Sequence, residues 1–417
     1  MKRVPLRGTL HGAWHGHSPP GWSLMQLKWA VTFQRGHDLP TDDRAESGQV
    51  PVYAGGGVSG WHDSAVAKAP GIVTGRYGTI GQFHLVDRDY WPLNTALYSI
   101  DLHDNDAEFL RYLLEPLSQL FLLNAGKSAV PGVDRADIHV IPVSVPPAWV
   151  QHQIATYLNR EVGELDALLA AKRRVLILIN EKRRALIAQA VTRGLDPTAP
   201  MRDTGIPWLG RIPAQWQTER TRWLFRERDE RSETGTEEML TVSHITGVTP
   251  RSEKDVNMFK AASTVGYKLA HSGDLVINTL WAWMGAMGTA PVVGIVSPAY
   301  HVYEPGPRLL PEYVDQLVRL PVFAQEVTRY SKGIWSSRLR LYPEGFYEVE
   351  LPVPPLSEQH DIADHVRHEL DKLDAAERAV DHTITLISER RAALIFGAVT
   401  GQLDIGDRHE DPRTHSP

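Results

Sequence analysis

Two long stretches of this chain place apolar residues at helical spacing. In the later one, Leu373, Val380, Ile387 and Leu394 recur every seven residues, with Leu370, Ile384 and Ala398 near the complementary positions. In the earlier one, Leu165, Ile179 and Leu186 keep the same register, joined by Leu158, Val162, Leu169 and Leu176. Such a narrow stripe is the seam of a coiled coil, interrupted here by Lys172 and Arg183. Within 149–192 and 357–400 no Pro occurs and Gly163 and Gly397 are the only glycines, and paired prolines stand just before each stretch. About 43 residues at ~1.5 Å rise predict two helices of roughly 65 Å. Each narrow seam needs a partner, so the two helices are expected to pair with each other.

The two stretches are also copies of one another. Pro146–Asp196 aligns with Pro354–Asp404 without a gap, at an offset of 208 residues and with about 23 identities in 51 positions. Gln151/Gln359, His152/His360, Asp166/Asp374, Glu181/Glu389 and Ala190-Val191-Thr192/Ala398-Val399-Thr400 are among the shared landmarks. The chain is a duplicated unit.

Residues 1–145 and 201–353 look nothing like coiled coil. Runs such as VPVYAGGGVSGW, APGIVTGRYGTIGQFHLV and HSGDLVINTLWAWMGAMGTAPVVGIV alternate strand-like segments with glycine turns. Each segment then offers one helix, AEFLRYLLEPLSQLFLL from Ala107 and PEYVDQLVRLPVFAQEVTRY from Pro311. A turn at Gly126 or Gly333 follows, then a strand (DIHVIPVSV, FYEVELPV) that feeds the Pro-Pro pair. The expected division is a β-rich domain at 1–145, a long helix and linker at 146–200, a second β-rich domain at 201–353, a second long helix at 354–404, and a disordered polar tail at 405–417. The fold class is α+β: two β-rich mixed domains separated by two long helices, with a pseudo-twofold internal repeat.

Composition narrows the chemistry. The 417 residues carry 44 Lys+Arg against 50 Asp+Glu, so a net charge of −6 argues against indiscriminate coating of nucleic acid while leaving room for local basic surfaces. Zero Cys removes disulfides, thiolate zinc sites, iron–sulfur clusters and Cys nucleophiles, and fits a reducing cytosol. No apolar run approaches ~18 residues, and the start MKRVPLRGTLHGAWHGH lacks the apolar stretch of a signal peptide; a soluble, cytoplasmic protein is expected.

Catalytic patterns fail one by one. Gly55-Gly56-Gly57-Val58-Ser59-Gly60 matches G-x-G-x-x-G, but no helix opens there to meet a pyrophosphate, so it reads as a turn. Gly126-Lys127-Ser128 resembles the end of a P-loop whose first glycine position is Phe121. No Lys has Asp or Glu two residues before it, which removes the usual metal-dependent nuclease arrangement, and no Asn/Asp-Pro-Pro-Tyr/Phe methyltransferase motif occurs. His11, His15 and His17, like His365 and His368, lack second ligands at metal-binding spacing, so no metal site is expected.

The repeated Pro-Pro-…-Gln-x-x-Ile-Ala helix, its Glu-Lys/Arg-Arg-x-Ala-Leu-Ile end and the linker Thr204-Gly205-Ile206-Pro207-Trp208-Leu209-Gly210-Arg211-Ile212-Pro213-Ala214-Gln215-Trp216 resemble the specificity subunit of type I restriction–modification systems. Pro51–Gly60 and Gly75–Gly81 of the first segment fit the same pattern. The second segment departs from it, with Asn278-Thr279-Leu280-Trp281-Ala282-Trp283 in place of the Gly-Arg-Tyr-Gly turn. The resemblance implies a non-catalytic bacterial host-defence subunit that binds double-stranded DNA. The two β-rich segments would be target-recognition domains, each reading one half of a bipartite asymmetric sequence. The helices would form an antiparallel coiled coil that spaces the domains and docks two methyltransferase subunits, the complex being completed by restriction subunits. S-adenosylmethionine, ATP and Mg would belong to those partners, with no cofactor in this chain and no membrane association. Two unlike modules on a duplicated frame suit the reading of two unlike half-sites.

DNA contacts are expected from polar or basic residues on loops where strands turn. These are Arg76, Tyr77, Asn94, Lys127 and Ser128 in the first segment, and Asn278, Thr279, Lys332, Ser336, Ser337 and Arg338 in the second. Arg is the usual bidentate partner of guanine and Asn of adenine, whereas Lys and Ser more often hold phosphate. Two rival readings stay open: a coiled-coil scaffold whose β-rich domains bind protein or glycan, with Trp281, Trp283 and Trp335 lining a groove, and a recognition subunit of another DNA modification system.

Overall fold

The structure, a computed structural model, describes residues 18–125, 132–253, 263–333 and 339–405. Both seams are single helices, Ala148–Arg193 and Leu356–Val399. Of the seam residues, Leu169, Ile179, Leu373 and Ile387 are buried, and Leu165, Leu176, Leu186, Val380 and Leu394 are half-buried. The chain divides into two compact units, one of residues up to Arg173 together with those from Asp381, the other of Arg174–Val380. The cuts fall inside the long helices. Compactness therefore does not follow the linear division into segments and helices, because each unit takes one β-rich segment, the first part of one long helix and the last part of the other.

In the first unit an antiparallel sheet runs in the order Thr32–Arg35, Ala96–Asp101, Gly71–Gly75, Phe83–Val86. A smaller sheet joins Gly57–His62, Val50–Ala54 and Trp91–Pro92; Gly55 and Gly56 are the turn of its hairpin, so the glycine run cradles no phosphate. Helix Ala107–Leu114, capped by Asp106, covers the first sheet. Phe109 and Leu113 join Phe33, Ile72 and Leu97 of that sheet in one core with Ile154, Leu158 and Val162 of the first long helix and Ile395, Ala398 and Val399 of the second. The early turns of one long helix thus lie against the late turns of the other, which makes the pair antiparallel. Arg391 fixes the register, with Nε donating to Asp166 Oδ1 at 2.8 Å and Nη1 to Glu115 Oε2 at 2.8 Å.

The second unit repeats this plan with different side chains. Its sheet runs Phe225–Arg228, His301–Pro305, Leu275–Ile277, Met287–Thr289, antiparallel throughout. Its core brings Leu275, Tyr303, Tyr313 and Phe346 together with Ala190 and Val191 of the first long helix and Ile362 and Val366 of the second. Arg183, which interrupts the stripe, donates to Asp374 and, at 2.9 Å, to Glu377. Arg183/Arg391 and Asp166/Asp374 are repeat-equivalent pairs, so the same bond is made once in each unit.

A buried glutamine fastens each segment to its helix. Gln151 Nε2 donates to Pro146 O (2.8 Å) and Asn105 Oδ1 (2.7 Å) while its Oε1 accepts from Asp106 N (2.8 Å). Gln359 donates to Pro354 O and Arg308 O and accepts from Leu310 N, all at 2.8 Å. Asp106 and Leu310 are the residues that start helices Ala107–Leu114 and Pro311–Val318.

Three details differ from the sequence expectation. The helix from Ala107 breaks at Glu115–Leu117, where Pro116 removes a donor, and resumes at Ser118; that from Pro311 ends at Val318, and Pro321 opens a second helix. Only Pro142–Val145 and Glu350–Val353 of the expected last strands are strands. The residues before them turn as helices, Arg135–His139 under an Asp134 cap and Pro343–Phe346 from an N-terminal proline. The third is a repeat outside the helices: Pro19, Trp22 and Trp29 match Pro213, Trp216 and Trp223 in spacing. Each Pro carbonyl accepts from the first Trp N–H (3.0 and 2.9 Å), and each second Trp ends a 3-10 turn. No helix among the described residues is long and apolar enough to cross a membrane.

Candidate nucleic-acid interface

The matching sheets bring two loops into equivalence. Val73, Thr74 and Gly75 face Tyr98, Leu97 and Ala96 across the ladder, as Leu275, Val276 and Ile277 face Tyr303, Val302 and His301. Arg76-Tyr77 therefore occupies the same place in one sheet as Asn278-Thr279 in the other, although nothing in their residue types says so.

In the first unit this loop borders a groove of about 730 Å³ lined by Gln34, Arg35, His37, Asp38, Arg76 and Arg135 among others. Arg76 is held by its backbone, N donating to Thr95 O at 2.9 Å and O accepting from Val133 N at 3.0 Å. Its guanidinium lies 4.8 Å from the Tyr77 ring centroid, a cation–π contact that leaves the N–H fork available. A Cβ on Gly132 would come within 2.4 Å of that ring, so a side chain there would displace Tyr77. Asn94 sits on the same wall: its N donates to His37 O at 2.9 Å and its side-chain amide to Asp38. The carboxylates of the groove are thus engaged locally, Asp38 by Asn94 and Asp134 by the helix N-terminus it caps (Ala136 N, 2.8 Å). No carboxylate pairs with Arg35, Arg76 or Arg135 among the described residues. Three guanidiniums around one groove form an anion-attracting surface on a chain that is acidic overall. Behind it, His139 accepts the Phe33 N–H at Nε2 (2.9 Å). Burial first, then Arg135 and Lys28, holds its pKa below the ordinary value, against an opposing pull from Asp134.

In the second unit Asn278 and Thr279 are only 6% and 7% exposed. Asn278 donates to the Tyr300 hydroxyl at 2.9 Å and Thr279 to Ala299 O at 2.9 Å. Burial raises the Tyr300 pKa and keeps the phenol protonated. The two residues expected to face DNA are instead a buried platform beneath the loop tip. Lys332 is exposed and bridged by backbone hydrogen bonds of 2.9 Å to Arg340, beside Leu341, whose N donates to Thr279 O at 3.2 Å. Lys332 and the 278–279 platform therefore share one end of the unit. Lys127, Ser128, Ser336, Ser337 and Arg338, with Trp335 and the tail from 406, lie outside the described residues. Sequence reasoning missed Arg35, Arg135 and Arg340, whose place at these loops depends on pairings distant in sequence. Among the described residues no group of His, Cys, Asp and Glu is arranged to hold a metal ion.

Residues 19–175 match the type I restriction modification DNA specificity domain. Two solved structures share the fold at low identity. One is a chain from work on complex assembly and conformational transition of the type I R-M system, 17% identical with a TM-score of 0.62, covering 93% of this chain and 100% of that one. The other is the HsdS subunit from Thermoanaerobacter tengcongensis, 16% identical with a TM-score of 0.51, covering 93% of this chain and 99% of that one. No curated protein matches the chain.

Proposed function

We propose that this chain is a specificity subunit of a type I restriction–modification system and reads a bipartite asymmetric DNA target, one half-site per unit; the match over residues 19–175 and the shared fold support the reading. The observation that carries the reading is one antiparallel sheet built twice on a repeated helix, with unlike side chains on the equivalent loop. A common frame sets where the loops stand, and their differences select the bases. Arg76, Tyr77 and Asn94 serve the first half-site, together with Lys127 and Ser128. Lys332 serves the second with Ser336, Ser337 and Arg338, while Asn278 and Thr279 shape its loop from beneath.

The long helices set the spacer and dock two methyltransferase subunits. Exposed apolar residues support that role, among them the repeat-equivalent Leu178 and Leu386. Methyl transfer from S-adenosylmethionine and ATP- and Mg-dependent cleavage belong to the modification and restriction subunits, in the cytoplasm, and this chain is non-catalytic.

Methylome sequencing of cells carrying the system tests the reading. We expect two unlike half-sites at one spacing. Four residues inserted at Ala170-Ala171 add ~6 Å of helix, at most about two base pairs at ~3.4 Å each, and are expected to change the spacer while both half-sites persist. A map without a bipartite motif, or an insertion that rewrites the bases and leaves the spacing, overturns the proposal.

A further inference from the structure

The loop above the Asn278-Thr279 platform ends in an apolar tip. Leu280 is 39% and Trp281 49% exposed, whereas Ala282 between them and the core is fully buried. The loop is braced from within: Asn278 N donates to Ala286 O (3.0 Å), Trp281 N to Asn278 O (3.0 Å), and both Met284 N (3.0 Å) and Ala286 N (3.1 Å) to Trp281 O. Gly285, at φ +88°, closes it in a conformation that side chains rarely adopt. Trp283 donates from Nε1 to Leu280 O at 3.0 Å, and its ring stacks on Trp281 at 6.3 Å and 18°. The Trp281 ring is thus presented rigidly, and binding it costs little further ordering. Lys332 and Arg340, both exposed, stand beside the platform.

Resting on the proposed function, we infer that Leu280–Trp281 is an apolar wedge that the second unit presses into the groove of its half-site, unstacking one base step. A narrow, braced apolar tip flanked by cations matches the way groove-binding proteins insert side chains between base pairs while basic residues hold the phosphates. A hydrogen-bonding loop in the first unit, Arg76 over Tyr77, takes the equivalent place, so the two half-sites are read by different physics. Deformability, greatest at pyrimidine–purine steps, then contributes to specificity on one side only.

The test uses the full chain assembled with its partner subunits and a duplex bearing the target taken from the methylation map, with 2-aminopurine walked through both half-sites. A fluorescence rise is expected at one step of one half-site. Trp281→Ala should abolish that rise and weaken binding about 5- to 150-fold, the range for loss of one base–aromatic stack. Trp281→Phe should be intermediate, and Leu280→Ala repeats the test should Trp281→Ala fail to fold. Unchanged fluorescence and affinity in the Ala variant, with normal binding by the wild type, overturn the wedge and leave the proposed function standing. Loss of subunit assembly in place of DNA affinity assigns the tip to a protein partner and also overturns it. A wild-type complex that does not prefer the target over a scrambled duplex overturns the proposed function and the wedge together.

Discussion

The two four-stranded sheets have one strand order and two chemistries. In the first, the loop after the central strand carries Arg76 stacked on Tyr77 beside a groove with two further arginines. In the second, the equivalent residues Asn278 and Thr279 are buried, and the loop tip is Leu280–Trp281. What the units share lies where each segment meets the helices: the arginine–aspartate pair across the seam, the buried glutamine, the Pro-x-x-Trp turn. Repetition tracks the frame and divergence tracks the loop edge; under the proposed function, that separates the residues that build the protein from those that choose its DNA.

The strongest challenge to that separation is the shared tryptophan. Trp216 is buried, with Nε1 donating to Glu358 at 2.9 Å, whereas Trp22 is half-buried. Trp216→Ala should cost the second unit ~3–5 kcal/mol and Trp22→Ala clearly less in the first. Hydrogen exchange resolved by unit measures both, and equal losses would mean that the match in spacing hides no difference in packing. Next comes Arg76→Ala, expected to cost ~1–3 kcal/mol of discrimination at one position of one half-site. Fluorescence anisotropy with single-base variants reads it, and an equal drop for target and scrambled duplexes would make Arg76 a backbone contact. The smallest effect is confined to the first unit. His139 must be neutral to accept the Phe33 N–H, and its pKa in the fold lies below the ordinary value. On acidification the unfolded chain takes up the proton first. The stabilisation is therefore complete above ~6.5, the unperturbed value, and is lost as pH falls through the depressed one. The repeat-equivalent residue is Tyr347, so the second unit has no counterpart. Protection of the Phe33 amide measured from pH 7 to 5 should fall, and His139→Gln, which keeps an acceptor, should flatten the curve. A wild-type amide indifferent to pH would remove the effect.

The helices and their seam were legible because a coiled coil writes itself locally: seven-residue spacing and a gap-free copy need no knowledge of distant contacts. The common sheet was not, since its strands are three to six residues long and pair across up to about 80 positions, as Phe225 does with Pro305. Residue type also misled. Asn278 and Thr279 look like groove-facing side chains, but a polar residue that finds partners inside, here Tyr300 and Ala299, is as well placed in a core. The matched Trp22/Trp216 spacing is visible in the sequence but lies outside the longer repeat of Pro146–Asp196 and Pro354–Asp404.

The buried glutamine has a consequence for how such a protein changes over generations. Gln359 takes hold of Arg308 O, Pro354 O and Leu310 N, which are backbone groups alone; Gln151 does the same but for the Asn105 side chain. A clasp that grips main chain is indifferent to the residues it holds. A foreign segment whose turn has the same shape can therefore seat on the same helix, whatever its side chains. Under the proposed function, a new target can then be inherited by exchange of a whole segment, with the frame left as it was.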